Sequence, residues 1–119
     1  MSPADPPPAA PAAAASFQER FAALGREWRA QLPARLADVQ ARSAACRLAP
    51  GDAAALEELH RMVHTLAGSA GTFGLGELSV HARTMEHEVE RLLALPTRGA
   101  ADFGGTQRAL DALLLAPRG

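Results

Sequence analysis

Lysine and tyrosine are absent from this chain, and cysteine and tryptophan each occur once. Because all twelve basic residues are arginines, any contact with a phosphate group must use a guanidinium or a backbone N–H, and lysine chemistry is excluded. The single thiol, Cys46, cannot form an internal disulfide, and its alanine and leucine neighbours predict a small buried side chain. This cysteine content is typical of the reducing cytoplasm, where we expect the protein to be located.

The chain also lacks a large excess of positive or negative charge, and it lacks long apolar runs. Twelve arginines nearly balance thirteen acidic residues, so there is no broad cationic field of the kind that binds nucleic acid. No stretch approaches the roughly 20 apolar residues of a membrane span, and no basic residue precedes Arg20 to begin an export signal. The 119 residues therefore predict one small soluble domain that binds neither nucleic acid nor membrane.

Proline is concentrated at the start of the chain. Residues 1–15 hold five prolines and seven alanines. This composition offers little apolar bulk to bury and fixes many φ angles. We therefore predict a disordered, partly polyproline tail over residues 1–15, followed by a helical domain over residues 16–116.

The remaining prolines divide the chain into segments with helical periodicity. Ser16 is a suitable N-cap for a short first helix, whose apolar residues recur every three or four positions and comprise Phe17, Phe21, Leu24 and Trp28. Pro33 is a good first-turn residue for a second helix, which Pro50 and Gly51 end. Asp52 can cap the third helix.

The later segments carry the clearest apolar stripes. Those of the third and fourth predicted helices comprise Leu56, Leu59, Val63, Leu66, Ala70 and Phe73, then Leu75, Leu78, Ala82, Met85, Val89 and Leu92. A last apolar face comprises Phe103, Leu110, Leu113 and Leu114. No strand pattern is present, because aromatic residues make up only 4% of the chain and β-branched residues are sparse. The sequence predicts an all-α fold, an antiparallel four-helix bundle with an additional short N-terminal helix.

One histidine lies on the polar side of the third predicted helix. At 100° per residue, His64 projects roughly 130° from the centre of the apolar stripe and should face water. One turn later comes Gly68, and a glycine inside a helix costs about 1 kcal/mol relative to alanine. A glycine inside a helix can allow close packing of a neighbouring helix or the approach of a partner. Because Gly68 lies on the outward side, we favour the approach of a partner. An exposed, neutral imidazole has a ring nitrogen lone pair that can attack phosphorus without a dedicated base.

Residues 64–74, with the sequence HTLAGSAGTFG, resemble the signature of histidine-containing phosphotransfer (HPt) domains. In that family a histidine is followed by a hydrophobic residue two places on, a glycine four places on, and a small-residue helix end that terminates in glycine. The family pattern continues with a leucine and a glutamate on the next helix, which is matched loosely by Leu78, Ala82, Met85 and Glu86. The resemblance extends over residues 32–115.

This resemblance implies a phosphorelay carrier of a two-component regulatory system and not an enzyme. His64 would accept a phosphoryl group from the phosphoaspartate of a receiver domain, in a response regulator or hybrid histidine kinase, and pass it to another receiver. The receiver would supply Mg²⁺ and most of the catalysis, so we expect no cofactor and no metal in this chain. The resemblance also implies a monomer.

The surface that would contact the phosphate and the partner follows from helical position and from the resemblance. It comprises Gly68, Ala67, Arg61, His60, Ser69, Gly71 and Arg83. The position three residues after the histidine is most often lysine in the family and is Ala67 here. Two alternatives are open: either Arg61 or Arg83 compensates for that missing charge, or the module favours rapid transfer over storage of the phosphoryl group.

Two other functions remain open from the sequence. A module with the HPt shape could dock a receiver without accepting its phosphoryl group, and the alanine at position 67 is the main support for this alternative. A metal-binding bundle could use His60 and His64, spaced i, i+4, with His81 or His87 from the next helix.

Glu57 and His60 are the neighbours of His64 towards the start of the helix, but no acidic residue is predicted to orient its imidazole. The sequence shows no cluster of carboxylates that converges on His64 and no acidic residue with a spacing that would orient its imidazole. We expect Glu86, Glu88 and Glu90 to form a solvated face, paired along the helix with Arg83 and Arg91.

Overall fold

Four α-helices and one 3₁₀ turn account for the regular structure of the described residues. A computed structural model describes residues 9–118, with side chains from Ser16 onward. The elements are α1 (Ala9–Leu48), α2 (Ala53–Thr72), α3 (Gly76–Leu93), the 3₁₀ turn Ala100–Phe103 and α4 (Gly104–Leu115). No strand occurs within residues 9–118, which confirms the predicted all-α class. None of these helices is both long enough and apolar enough to cross a bilayer.

Helix α1 begins earlier than predicted. Of the tail predicted over residues 1–15, residues 1–8 lie outside the described residues, whereas residues 9–15 belong to α1. Alanine has the highest helix propensity, and Pro11 lies in the first turn, where a missing backbone N–H costs little. Ser16 is consequently inside the helix and caps nothing; its Oγ accepts a hydrogen bond from Arg20 Nη1 at 3.0 Å.

Pro33 lies within α1, so the two helices predicted on either side of it are a single element. The separate short N-terminal helix was a wrong prediction. Apolar residues recur every three or four positions across the proline, and four of them are buried: Trp28, Leu32, Leu36 and Val39. Burial of this continuous stripe offsets the roughly 3 kcal/mol that a proline inside a helix costs.

The chain divides into two compact units, with the boundary in the sequence between Leu32 and Pro33. In the described part of the first unit, the rings of Phe17 and Phe21 stack with their centroids 6.2 Å apart. Both phenylalanines and Leu24 are exposed. The apolar face predicted for the first helix is therefore unburied over its first three members.

The second unit, Pro33–Gly119, contains an antiparallel four-helix bundle, formed by residues 33–48 of α1 together with α2, α3 and α4. Helix α3 packs against both α2 and α4. Helices α1 and α2 line a common groove, and Arg47 of α1 donates a hydrogen bond to Gln107 of α4. Because the connections are short, consecutive helices run in opposite directions.

The predicted apolar stripes meet in the core of this bundle. Its buried members in α2, α3 and the C-terminal segment are Leu56, Leu59, Val63, Leu66, Ala70, Leu78, Ala82, Met85, Val89, Leu92, Phe103, Leu110 and Leu113. Cys46 is also buried, as predicted, and burial raises the pKa of its thiol. A thiol in such surroundings is a weak nucleophile.

Both ends of α2 are set by local contacts. Asp52 caps its start, as predicted: Oδ1 accepts a hydrogen bond from the backbone N–H of Ala55 at 3.0 Å. After the other end the chain turns at Gly74, whose φ of +81° is favourable for glycine and unfavourable for other residues. These contacts determine where α2 ends and where α3 can begin, and hence which side chains of the two helices meet.

We predict that Leu59→Ala lowers the free energy of unfolding by about 2–5 kcal/mol, because truncation of a fully buried leucine leaves a cavity. Urea denaturation followed by circular dichroism measures this change. Leu115→Ala is the matched control: that side chain is 86% exposed, so its change should stay within about 0.5 kcal/mol. Equal losses for the two variants would contradict the assigned core.

Candidate functional site

His64 lies on the outward side of α2, as the periodicity predicts. The buried residues of α2 face the bundle and comprise Leu56, Leu59, Val63, Leu66, Ala67 and Ala70. The His64 side chain is 66% exposed. Its imidazole is therefore accessible to a molecule in solution while its backbone is held in the middle of a 20-residue helix.

Glu86 of α3 lies beside this histidine. The residue is only 8% exposed, and its Oε2 is 2.6 Å from His64 Nδ1. A carboxylate oxygen can only accept a hydrogen bond. Nδ1 therefore carries a hydrogen atom and donates a hydrogen bond to Glu86. This bond directs one edge of the imidazole towards α3. The other ring nitrogen, Nε2, has no hydrogen-bond partner among the described residues.

His60 lies one turn before His64 and contacts the same carboxylate. Its Nε2 is 3.0 Å from Glu90 Oε2 and 3.6 Å from Glu86 Oε2. The two imidazole rings are nearly parallel, with centroids 6.2 Å apart and an interplanar angle of 13°. Two histidines of α2 and two carboxylates of α3 thus form one polar cluster, which we call the His–Glu cluster: His60, His64, Glu86 and Glu90.

The expectation that no acidic residue orients the His64 imidazole was wrong, and so was the assignment of Glu86 to a solvated face. The predicted helix-surface pair between Glu88 and Arg91 is present, with a distance of 2.9 Å. Glu86 could have been identified from its position in the α3 stripe, directly after the buried Met85 and one turn after the buried Ala82. A charged residue at a buried position requires a partner. A glutamate beside the apolar stripe was therefore the feature of the sequence that could have predicted a contact with a side chain of α2.

The predicted glycines have different surroundings. A Cβ atom added at Gly68 would meet no atom within 4 Å, so helix packing does not require a glycine there. A Cβ added at Gly71 would lie 3.4 Å from Ser79 Oγ of α3. Gly71 therefore contributes to the close approach of α2 and α3, whereas Gly68 leaves an open surface one turn from His64.

Ala67 does not belong to the exposed surface that was predicted. It is 1% exposed, and its carbonyl accepts a hydrogen bond from Ser79 Oγ at 2.8 Å. The small methyl group fits where α2 meets α3. The rotation of α2 about its axis turns Ala67 towards α3 and leaves His64 on the exposed side.

None of the predicted phosphate donors contacts His64. Arg61 is exposed and forms an ion pair with Glu58 of the same helix. Arg83 is exposed and forms no hydrogen bond or ion pair within the part of the chain that the structure describes. Ser69 is half-buried, and its hydroxyl makes no hydrogen bond to the imidazole. The structure thus brings Glu86 and His60 to His64, places Glu90 against His60, and leaves the arginines and the serine apart from His64.

Of the histidines predicted for a metal site, only His60 belongs to a group of potential ligands among the described residues. His60 is grouped with Glu86 and Glu90, each of which offers a ligand atom within 4.8 Å of the others. His81 and His87 of α3 are not members of this group. A metal ion would therefore find a mixed histidine and carboxylate site in place of the all-histidine site that spacing suggested.

Comparison with known proteins bears directly on this site. The Hpt domain family matches the chain over residues 14–116, a range that contains all of α2, α3 and α4. No match was found among curated proteins or among solved structures. The family match confirms the resemblance that the sequence around His64 suggested. The chain therefore belongs to the Hpt domain family, whose members are phosphotransfer carriers of two-component signalling.

Proposed function

We propose that this protein is a phosphorelay carrier in which His64 accepts a phosphoryl group from the phosphoaspartate of one receiver domain and donates it to another. The observation that carries the proposal is the 2.6 Å contact between His64 Nδ1 and Glu86 Oε2. It holds the exposed ring in one orientation and leaves Nε2, on the opposite edge, available as the nucleophile. A fixed tautomer with one free nitrogen is the arrangement that an attack on phosphorus requires.

The transfer step forms one bond and breaks one. The Nε2 lone pair attacks phosphorus, and the bond from phosphorus to the aspartate oxygen breaks, so the carboxylate leaves with the electron pair. The ring then carries the phosphoryl group on Nε2 and a proton on Nδ1, and it is positively charged. The carboxylate of Glu86 stabilises this imidazolium through the same hydrogen bond.

We assign most of the catalysis to the partner. Mg²⁺ held by the receiver would neutralise the phosphoryl oxygens during transfer, and the donor aspartate belongs to the receiver too. This chain supplies the nucleophile, its orientation and an open surface. The empty space over Gly68 supports the last of these, because a receiver could approach His64 there without displacing a side chain.

The charges near His64 favour onward transfer over storage. A phosphoryl group brings about two negative charges, and Glu86 and Glu90 already lie in the His–Glu cluster. No arginine contacts the cluster within the described residues, and the position that is usually lysine in the family is Ala67. We infer that the phosphohistidine is short-lived and passes readily to a second receiver.

We predict that His64→Gln abolishes the acid-labile, base-stable label that wild type acquires from phosphorylated receiver domains of the same organism. Glutamine keeps hydrogen-bonding capacity at this position but has no nucleophilic nitrogen. Autoradiography after incubation with each labelled receiver measures the transfer. His87→Gln is the matched control, because His87 is exposed on α3 outside the His–Glu cluster, and it should label like wild type.

Absence of label on wild type, with a receiver that demonstrably binds it, would overturn the carrier proposal. In that case the docking-only module becomes the better description. Label that persists on His64→Gln would instead show that a different residue is the acceptor.

We predict that Glu86→Ala lowers the initial rate of labelling by about tenfold or more, as expected for the loss of one hydrogen bond to a charged group. Glu86→Gln keeps a side-chain oxygen that can accept from Nδ1 and should recover part of that rate. Initial rates at several pH values measure both variants. Equal rates for the two variants, each with wild-type thermal stability, would contradict the positioning role of Glu86.

We predict opposite effects of Gly68→Ala on folding and on transfer. The new methyl group has free space, so the free energy of unfolding should rise by about 0.5–1 kcal/mol because alanine is the better helix former. The same methyl group narrows the approach to His64 and should slow labelling several-fold. Urea denaturation and initial labelling rates measure the two effects.

Gly51→Ala is the control for the second effect. A Cβ there also meets no atom within 4 Å, and the site lies about 20 Å along the chain direction of α2 from His64. It should leave the labelling rate unchanged. Equal labelling of wild type and Gly68→Ala would contradict the proposed direction of approach.

A further inference from the structure

His60, Glu86 and Glu90 form a set of three potential ligands, of which the proposed transfer uses only Glu86. Their ligand atoms all lie within 4.8 Å of one another. We infer that these three side chains bind one divalent transition-metal ion, with Zn²⁺ as the best match. The inferred site is separate from any Mg²⁺ of a receiver, because every ligand comes from this chain.

The spacing of the ligand atoms suits a small tetrahedral ion. Zinc binds nitrogen and oxygen ligands at about 2.0–2.2 Å, so two ligands at a tetrahedral angle lie about 3.4 Å apart. His60 Nε2 is 3.0 Å from Glu90 Oε2 and 3.6 Å from Glu86 Oε2. Small rotations of the side chains would therefore place all three at bonding distance. A water molecule would complete the fourth position, as in zinc sites with three protein ligands.

The local charge gives an independent reason to expect a cation. Two other glutamates of these helices are neutralised by arginine, in the pairs Glu58–Arg61 and Glu88–Arg91. Glu86 and Glu90 contact only histidines within the described residues. Two carboxylates whose oxygens lie within 4.8 Å of one another, one of them buried, repel each other, and a divalent ion between them would relieve that repulsion.

The type of ligand distinguishes among ions. An imidazole nitrogen is a favourable ligand for Zn²⁺, Co²⁺ and Ni²⁺, whereas Mg²⁺ and Ca²⁺ prefer oxygen ligands alone. Glu86 and Glu90 are spaced i, i+4 on α3, so they present their carboxylates on one side of that helix. Glu90 is half exposed, which gives an ion a path from solvent.

The inferred site would communicate with His64 through Glu86, and this consequence rests on the proposed function. The Oε2 atom that lies 3.6 Å from His60 is also the acceptor of the His64 Nδ1 proton. A metal ion bound to that oxygen would compete with His64 for it. Zn²⁺ should therefore loosen the orientation of the nucleophile and slow its labelling.

The test is a calorimetric titration of the full chain with Zn²⁺ alone. We expect one ion per chain, together with a rise in Tm of several degrees in a parallel thermal scan. His60→Asn and Glu90→Gln should each weaken binding at least tenfold. The controls His87→Asn and Glu77→Gln remove a histidine and a carboxylate from α3 outside the cluster, so they should bind like wild type.

His64→Gln separates this inference from the proposed function, because His64 is not one of the three ligands. It should still bind Zn²⁺ although it can no longer be labelled. Loss of binding in His64→Gln would overturn the assigned ligand set. Equal binding by wild type, His60→Asn and Glu90→Gln, or none by wild type, would overturn the site itself.

The link between the metal and the nucleophile is measured separately. Zn²⁺ should lower the initial labelling rate of wild type by a larger factor than that of Glu90→Gln, with labelled phosphoramidate as the donor so that no receiver is present. Equal inhibition of the two proteins would overturn the competition for Glu86, whatever the calorimetry shows.

Discussion

A carboxylate that is removed from water needs a hydrogen-bond donor, and in this bundle that requirement falls on Glu86. Its side chain is almost covered where α3 packs against α2, and the donor within hydrogen-bond reach is the imidazole of His64. The need to satisfy one buried charge therefore orients the exposed histidine. The orientation of the His64 ring, and hence which of its nitrogens is free, depends on that contact.

The contact exists only because α2 and α3 approach closely. Gly71 has no side chain to separate the helices, Ala67 contributes a methyl group, and Ser79 donates a hydrogen bond to the Ala67 carbonyl at 2.8 Å. Small residues at the helix contact thus bring the Glu86 carboxylate within reach of an imidazole on the neighbouring helix. Gly68 does not contribute to this helix contact; the absence of a side chain there leaves the outer surface open.

The same carboxylate lies between two histidines, and this arrangement connects the two proposals. On one side it accepts the Nδ1 proton of His64, and on the other it lies near His60 and Glu90. An imidazolium at His64 and a metal ion beside His60 would compete for the same Glu86 oxygen, Oε2. Phosphorylation of His64 and binding of a metal ion are thereby expected to influence each other, although the atoms that react are different.

The amino-acid sequence by itself determined α2 and α3, their buried stripes and the outward position of His64, because the direction of a side chain on a helix follows from 100° per residue. It did not place residues 9–15 or Pro33 inside α1; around Pro33, the burial of Leu32 and Leu36 outweighs the local preference of proline. Only the tertiary structure decided that Glu86 meets His64 and that Ala67 is covered. The two partners are 22 residues apart, and the rotation of one helix against the next depends on packing of the whole bundle, which local spacing does not encode.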